Sequence, residues 1–333
     1  YSDFYKKKYN NINTKINNYD DFLKLPILKK DELLETNMYD RLFVPVWEID
    51  EIASTSWTSN NSIPTFIPHI REIYETSNDI MLDEDYLDSI WAKSLLILHK
   101  LSEHMLTYSK IKKNKFFTTP GHINNMKLSS IIAKETRTTW VITSPTFLLS
   151  LVEELKKIDF DLSSIKYLQL STEPCSKQKL EYIKSILPNA VVDFKYWSAE
   201  SWLRWYKCKN LMHNHESNIY HISKLNFLEI YEPDENWYGR ILHTSLLNDA
   251  CPLIRYDTWD FWKIIDYECE CWEKRIIELW WKTNFDKLKF HWVILYSHMI
   301  NKALYLVKLY VKPVFQIHIC EKNVWWQVLP ELV

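Results

Sequence analysis

The pattern of apolar and polar residues changes once along the chain, near residue 219. Before that point, helical patterns alternate with short apolar runs. The helical patterns lie at 85–107, 145–157 and 176–186, and the apolar runs predict strands at 139–143, 167–170 and 191–194. Such alternation is typical of an α/β structure in which helices cover a largely parallel sheet.

After residue 219, apolar residues tend to recur at every second position. The stretches with this period are 227–231, 240–244, 262–267 and 275–279. A period of two predicts strands with one buried face. We therefore expect antiparallel strands in a β-rich subdomain that follows the α/β part.

The first 70 residues hold polar helical patterns and then a hydroxyl-rich loop. Residues 1–40 favour helix, and Asp31 in the segment 25–33 can cap a new helix. A short strand pattern within 47–70 leads into the loop at 54–64. The hydroxyls and the backbone N–H groups of this loop can donate hydrogen bonds to the oxygens of a polyphosphate. An ordinary surface loop is the alternative explanation.

Charge and composition argue against several classes of function. The 333 residues carry a formal net charge of -2 and only short lysine clusters, so nucleic acid is not expected as a partner. No stretch approaches the roughly 18 apolar residues of a membrane span. The six cysteines lack the spacing of a disulfide framework, which favours the reducing cytoplasm. We also interpret the chain, which opens on Tyr1, as a fragment at both ends.

Glycine is nearly missing from the sequence. Average usage of about 7% would give roughly 23 glycines in a chain of this length, whereas the sequence has 2 glycines and 16 tryptophans. Many turns need a positive φ, which residues with a Cβ resist. Tryptophans stand in such polar segments, among them Trp57 in the hydroxyl-rich loop and Trp237 after three polar residues.

Two explanations of this composition are open. In the first, the gene comes from a lineage that reads UGA as glycine, and most of the tryptophans are glycine in the cell. In the second, the tryptophans are literal and the turns are unusual. UGG codons at Trp57, Trp197 and Trp259 would rule out the first explanation.

Two later segments carry side chains that could bind a ligand. In the segment 196–202, Tyr196 has an aromatic face and Glu200 has a carboxylate, a hard oxygen ligand. In the segment 252–260, the Asp260 carboxylate has paired hydrogen-bond acceptors. The alternatives are a helix-cap carboxylate at Glu200 and a hairpin-turn aspartate at Asp260.

With glycine read for tryptophan, several segments resemble, in order, the motifs of the phenylacetate–coenzyme A ligase branch of the adenylate-forming enzymes. Residues 54–64 are similar to the family's phosphate-binding loop, and 25–33 to the stretch before it. The other similar segments are 143–147 (the "TPS" helix start), 171–174 (the "GAEP" adenine-side loop), 196–202, 252–260 and the hinge at 279–293. Departures from the pattern occur at Ser171, Thr172, Lys282 and His291.

The resemblance implies an α/β fold with two domains. A large N-terminal domain of the adenylate-forming type, with parallel and mixed sheets, would occupy residues 1–281, and its β-rich subdomain would lie at about 219–281. A hinge and a small α+β C-terminal domain would occupy 282–333. That domain would be truncated and would lack the lysine that promotes adenylation.

The resemblance also implies a chemistry. ATP and Mg²⁺ would activate a small-molecule carboxylic acid as an acyl-adenylate, and coenzyme A would then accept the acyl group on its thiol. Glu200 and Lys282 would be catalytic, with Glu200 as the ligand of the Mg²⁺ bound to ATP. Tyr196 would stack near the adenine, and Asp260 would accept hydrogen bonds from the two ribose hydroxyls. The nucleotide-binding residues would be Ser54, Thr55, Ser56, Trp57, Thr58, Ser59, Glu173, Pro174, Tyr196, Trp197, Ser198, Ala199 and Asp260. A homodimer is compatible with the family.

Other functions stay open on the sequence alone. The acyl group could pass to a carrier or acceptor protein, or, with literal tryptophans, the chain could be a non-catalytic nucleotide-binding relative. A zinc site is a separate hypothesis, because thiolates and imidazoles are the usual zinc ligands. The residues concerned are Cys208, His213, His215, Cys269 and Cys271, whose spacing is equally compatible with bystander side chains.

Overall fold

The structure is a computed structural model of the 333-residue chain. It describes residues 2–10, 12, 15–54, 65–70, 84–98, 116–173, 175, 177–196, 198, 200, 205–213, 218–222, 226–246, 248–271, 273–274, 276–282, 287–290, 293–296, 319–324 and 327–332.

The N-terminal segment forms short helices and a strand pair. The helices are α1 (Asp3–Lys8), α2 (Tyr19–Leu23) and α3 (Lys30–Leu34), and the antiparallel strands are β1 (Glu51–Ser54) and β2 (Phe66–His69). The predicted cap at Asp31 is wrong by two residues. Helix α3 follows Lys29, whose backbone N–H donates to the Glu32 carboxylate at 2.8 Å, so Asp31 lies inside the first turn.

The predicted helix at 85–107 is also wrong. Among the described residues of this range, α4 (Glu84–Ser89) is helical, and β3 (Ser94–Leu98) follows it as a strand in which every residue is buried. A continuous apolar run fits a strand covered on both faces, and periodicity alone does not distinguish it from a buried helix. Residues 99–107 lie outside the described part of the chain.

A five-stranded parallel sheet organises the chain up to residue 194. Its other strands are β4 (Phe117–Pro120), β5 (Trp140–Thr143), β6 (Tyr167–Leu170) and β7 (Val191–Phe194), and the order is β4-β3-β5-β6-β7. The helices between them are α5 (Met126–Glu135), α6 (Pro145–Lys157) and α7 (Lys177–Ile186). The expected alternation of strands and helices from residue 139 onward is confirmed.

A six-stranded antiparallel sheet follows. Its elements are β8 (Trp205–Tyr206), the short helix α8 (Lys209–His213), β9 (Ile219–Ile222), β10 (Asn226–Tyr231), β11 (Gly239–Ser245), β12 (Tyr256–Ile265) and β13 (Ile276–Lys282). The strand order is β10-β11-β12-β13-β9-β8. The expected β-rich part is confirmed, although β12 begins six residues before the predicted strand at 262–267.

One hydrophobic core joins the two sheets. Leu168 and Phe194 of the parallel sheet belong to the same buried cluster as Ile241 and Trp262 of the antiparallel sheet. The described residues after 282 form two hairpins, β14 (Lys287–Phe290) with β15 (Val293–Tyr296), and β16 (Ile319–Val324) with β17 (Gln327–Leu332). Within the described residues, no helix has the length and apolar character that a membrane crossing needs.

Arg255 holds the N-terminal segment against the antiparallel sheet. Its guanidinium forms a buried ion pair with Glu229, with Nη2 3.0 Å from Oε1, and donates to the backbone oxygens of Leu23 and Leu25. Both side chains of the pair are less than a tenth exposed. Removal of either side chain would therefore leave the other charge buried and uncompensated.

We expect Arg255→Met to lower the free energy of unfolding by about 3–5 kcal/mol, because it leaves the Glu229 carboxylate buried without its cation. Urea denaturation measures this change. The matched control is Lys24→Met, which breaks the exposed pair with Asp21 and should cost less than about 1 kcal/mol. Equal effects of the two substitutions would contradict the role of Arg255.

Candidate functional site

Three of the segments singled out in the sequence lie at one edge of the parallel sheet. Ser144 directly follows β5, Ser171 directly follows β6, and Tyr196 comes two residues after β7. The three strands are hydrogen-bonded neighbours and run in the same direction. Ligands of open α/β sheets bind outside the carboxyl ends of the strands. This edge is therefore the candidate site.

The first two segments are in contact with each other. The Glu173 carboxylate accepts a hydrogen bond from the backbone N–H of Thr146 in the first turn of α6. Ser144 caps the same helix, since its Oγ accepts from Phe147 N at 3.3 Å, and Pro145 occupies the first helical position. Glu173 therefore lies against the first turn of α6, and its adenine-side role stays a prediction. Pro174 is outside the described residues.

Tyr196 connects the parallel-sheet edge to β12. Its hydroxyl donates to the Asp260 carboxylate, so two residues predicted to bind the adenine and the ribose of one nucleotide lie in direct contact. The Tyr196 ring is buried and stacks on Trp205, with ring centroids 4.0 Å apart and planes 27° apart. Trp205 was not singled out in the sequence. No local signal indicates this contact, because the two residues meet through an isolated bridge between Tyr196 and Trp205.

Glu200 contacts the start of β12. Its Oε1 accepts a hydrogen bond from the Tyr256 hydroxyl at 3.0 Å. Burial, followed by the Glu200 carboxylate, raises the pKa of Tyr256 well above its usual range, so the phenol stays protonated as a donor. A carboxylate oriented in this way fits Mg²⁺, which proteins commonly bind through one or two carboxylates together with substrate phosphates.

The turn before Asp260 fixes the position of its carboxylate. Asp257 Oδ1 accepts from the backbone N–H of Trp259 at 3.0 Å, and Thr258 Oγ1 accepts from the N–H of Asp260 at 3.3 Å. Between them Trp259 has a φ of 60°. Asp260 is paired in backbone register with Lys282 of β13. The backbone of the predicted hinge lysine is therefore next to that of the predicted ribose ligand.

The segment 25–33 is connected to the same strand. Leu28 N donates to Arg255 O at 3.0 Å, and Asp257 N donates to Leu28 O at 2.9 Å. Two motifs separated by more than 200 residues in the sequence thus form one backbone bridge, between Leu28 and Tyr256.

The predicted phosphate-binding loop lies almost wholly outside the described residues. Ser54 is the last residue of β1, and the residues that are not described are Thr55, Ser56, Trp57, Thr58 and Ser59. In the other motif Ser198 is half-buried, while Trp197 and Ala199 are also outside the described part.

If Glu200 holds Mg²⁺ as the resemblance implies, we expect Tyr256→Phe to reduce the rate of adenylation by about tenfold to 100-fold, because a hydrogen bond to a charged group contributes about 1.5–3 kcal/mol. Pyrophosphate release at varied Mg²⁺ concentration measures it. The loss should shrink at high Mg²⁺, since the substitution leaves the carboxylate in place. A loss that is independent of Mg²⁺ would contradict the proposed orientation of Glu200.

Solved structures with the same fold are known. No family model and no curated protein matches the chain. A crystal structure of 2-hydroxyisobutyryl-CoA ligase, in the postadenylation state with 2-HIB-AMP, aligns with a TM-score of 0.74 and 15% identity over 99% of this chain and 74% of that chain. The chain therefore shares the fold of this ligase.

Two further structures share this ligase fold. The same 2-hydroxyisobutyryl-CoA ligase, in the thioesterification state with 2-HIB-AMP and CoA, aligns with a TM-score of 0.65 and 16% identity, over 91% of this chain and 68% of that chain. The anthranilate CoA ligase AuaEII with anthranoyl-AMP gives a TM-score of 0.54 and 12% identity, over 85% and 56% of the two chains. The α/β fold class predicted from the sequence is therefore confirmed.

Proposed function

We propose that the chain activates a carboxylic acid with ATP and transfers the acyl group to the thiol of coenzyme A. The observation that carries this proposal is the contact between Tyr196 and Asp260, at the carboxyl edge of the parallel sheet. Glu200 contacts Tyr256 on the same strand as Asp260. A base platform, a ribose acceptor and a metal ligand are the three groups that an adenosine phosphate requires. The ligases of the same fold bind an acyl-AMP, which supports the proposal.

The first half-reaction joins the acid to AMP. A carboxylate oxygen attacks the α-phosphorus of ATP, the bond from that phosphorus to the bridging oxygen breaks, and pyrophosphate leaves. Asp260 accepts hydrogen bonds from the ribose hydroxyls, and the Tyr196 ring packs on the adenine. Glu200 holds Mg²⁺, which neutralises phosphate charge when bound. No covalent enzyme nucleophile is required, because positioning supplies much of the rate.

In the second half-reaction, the sulfur of coenzyme A attacks the acyl carbon, and AMP leaves with the electron pair of the broken C–O bond. We propose the hinge at Lys282 and the division into domains at 1–281 and 282–333 as the structural basis for switching between the steps. The phenylacetate–coenzyme A ligase branch, a cytoplasmic location and a homodimer belong to the same proposal. The motif order in the sequence supports the branch.

We also propose that most of the tryptophans are glycine in the native protein. Trp91 supports this most directly, because it has a φ of 60° and follows the end of α4. Its N–H donates to Asp88 O at 3.1 Å, and the N–H of Ala92 donates to Leu87 O at 2.9 Å. These two bonds form a Schellman motif, in which glycine is the usual residue at the position of Trp91.

Two other tryptophans share the left-handed conformation. Trp237, in the turn between β10 and β11, has a φ of 65°, and Trp259 has a φ of 60°. Such a conformation costs a residue with a Cβ about 1–2 kcal/mol. Both indoles are exposed, Trp237 by 74%. Neither of the two glycines of the sequence has a positive φ.

The buried tryptophans give an independent reason. Among the described residues, Trp140, Trp205 and Trp262 are the largest fully buried side chains, and none of their indole N–H groups has a hydrogen-bond partner there. A buried donor without a partner costs about 1–3 kcal/mol. Glycine at these positions would remove that cost, and at position 205 it would also uncover the Tyr196 ring.

Peptide mass spectrometry of the native protein tests the glycine proposal. Trypsin releases residues 256–263, which contain Trp259 and Trp262. We expect this peptide to be lighter than the written sequence by two indole side chains. A peptide with both indoles would contradict the proposal, and it would favour the non-catalytic alternative.

Thioester formation tests the proposed function. The full-length protein, with glycine at the tryptophan positions, would be incubated with ATP, Mg²⁺, coenzyme A and a panel of carboxylic acids. We expect AMP, pyrophosphate and an acyl-CoA from at least one acid. AMP and pyrophosphate without any acyl-CoA would favour transfer to a carrier or acceptor protein, and the absence of all three products would contradict ligase activity.

A further inference from the structure

Four potential metal ligands converge at the far edge of the antiparallel sheet. They form what we call the Cys3His cluster: Cys208, His221, Cys269 and Cys271. One side-chain atom of each lies within 4.8 Å of the corresponding atoms of the others. The cluster is outside the candidate nucleotide site, and the proposed ligase chemistry uses none of its members.

The separate contacts within the cluster are short. The Sγ atoms of Cys208 and Cys269 are 3.4 Å apart. His221 Nε2 lies 3.3 Å from the Sγ of Cys208 and also 3.3 Å from the Sγ of Cys271. Ligands at zinc distances, about 2.3 Å for sulfur and 2.0 Å for nitrogen, are about 3.5–3.8 Å apart in a tetrahedron. The observed spacing therefore leaves room for a single tetrahedral ion at the centre.

Three chain segments bring the cluster together. Cys208 lies between β8 and α8, His221 is on β9, and the two other cysteines are in the connection between β12 and β13. The backbone register supports the convergence, because His221 pairs with Tyr206 on one side and with Ile276 on the other. His221 is fully buried. The sheet itself therefore presents the ligands to one point.

We propose that the Cys3His cluster binds one structural zinc ion. Three thiolates and one imidazole are a donor set of structural zinc sites, which are tetrahedral and closed to substrate. The ion would cross-link segments that are 61 residues apart in the sequence at Cys208 and Cys269. It would thereby fix the edge of the sheet that contains β9 and β13, next to the strand that carries Asp260.

The histidine of the cluster differs from those that the sequence hypothesis named. His221 supplies the imidazole, although the sequence hypothesis named His213 and His215. The backbone of His213 ends α8, its side chain is outside the described part, and His215 is not described. The sequence signal for His221 was weak, because a single histidine in an apolar strand is also typical of a buried core residue.

Metal analysis of the purified full chain tests the proposal. We expect about one zinc ion per chain after purification without chelators. After exchange with Co²⁺, we expect the sulfur-to-cobalt charge-transfer and intense ligand-field absorption of a tetrahedral thiolate site. This spectrum requires no substitution and so does not depend on the folding of a variant.

Paired substitutions locate the ion. Cys269→Ser should lower the zinc content at least tenfold, whereas His221→Cys should retain it, because four thiolates also bind zinc. The control is Cys175→Ser, which changes a buried cysteine in the core of the parallel-sheet domain and should leave the zinc content unchanged. A protein without zinc and without a cobalt spectrum, or with a disulfide between Cys208 and Cys269 under reducing purification, would overturn the proposal.

Discussion

Glu200→Ala is expected to lower the rate of acid-dependent pyrophosphate release by about 100-fold to 1000-fold. Loss of one preorganised electrostatic contact in an active site has effects of this size, and Glu200 is the proposed ligand for the Mg²⁺ that accompanies ATP. Its carboxylate is oriented by the Tyr256 hydroxyl at 3.0 Å. A coupled assay of pyrophosphate at saturating ATP measures the rate.

The matched control for this substitution is Glu181→Ala, which removes an exposed carboxylate from α7. Activity of the control should stay within about twofold of the parent, since surface substitutions away from a site have small effects. Unfolding curves of both variants exclude a loss through misfolding. A Glu200→Ala variant that folds normally and retains full activity would show that Glu200 is the helix-cap carboxylate of the alternative explanation.

Trp205→Gly is expected to strengthen ATP binding by about tenfold or more. The indole of Trp205 stacks on the Tyr196 ring at 4.0 Å and therefore covers the face that we assign to adenine. Stacking of a base on an aromatic side chain contributes about 1–3 kcal/mol, and about 1.4 kcal/mol corresponds to a tenfold change in affinity. Calorimetric titration of the chain with ATP and Mg²⁺ measures the effect.

Trp237→Gly is the control for this comparison. It removes an exposed tryptophan from a turn with a φ of 65°, so we expect a gain in stability of about 1 kcal/mol without a change in ATP affinity. Equal affinity for ATP in the parent and in Trp205→Gly would place the adenine away from the Tyr196 ring.

The part of the fold with regular local patterns could be predicted from the sequence. The segment from β5 to β7 follows the expected bounds within one residue, because each strand is a short apolar run and Ser144 with Pro145 marks the start of α6. The prediction of helix at β3 is wrong because the four consecutive buried apolar residues after Ser94 show no period. A local pattern therefore does not distinguish strand from helix where a segment is buried on both faces.

The candidate site depends on contacts that no local pattern contains. The contact between Tyr196 and Asp260 spans 64 residues, and the contact between Glu200 and Tyr256 spans 56. The order of the motifs indicated the members of the site, but only the register of β12 against its neighbours brings their side chains together. The same holds for His221, whose role in the Cys3His cluster depends on its position between β8 and β13.

The exchange of radioactive pyrophosphate into ATP, with a panel of carboxylic acids, tests the central claim most directly. The full-length protein would carry glycine at the tryptophan positions, and coenzyme A would be omitted so that only the first half-reaction is observed. If the protein activates an acid, exchange should require both the acid and Mg²⁺. The Glu200→Ala substitution should abolish this exchange. Tight ATP binding together with no exchange for any acid would contradict it.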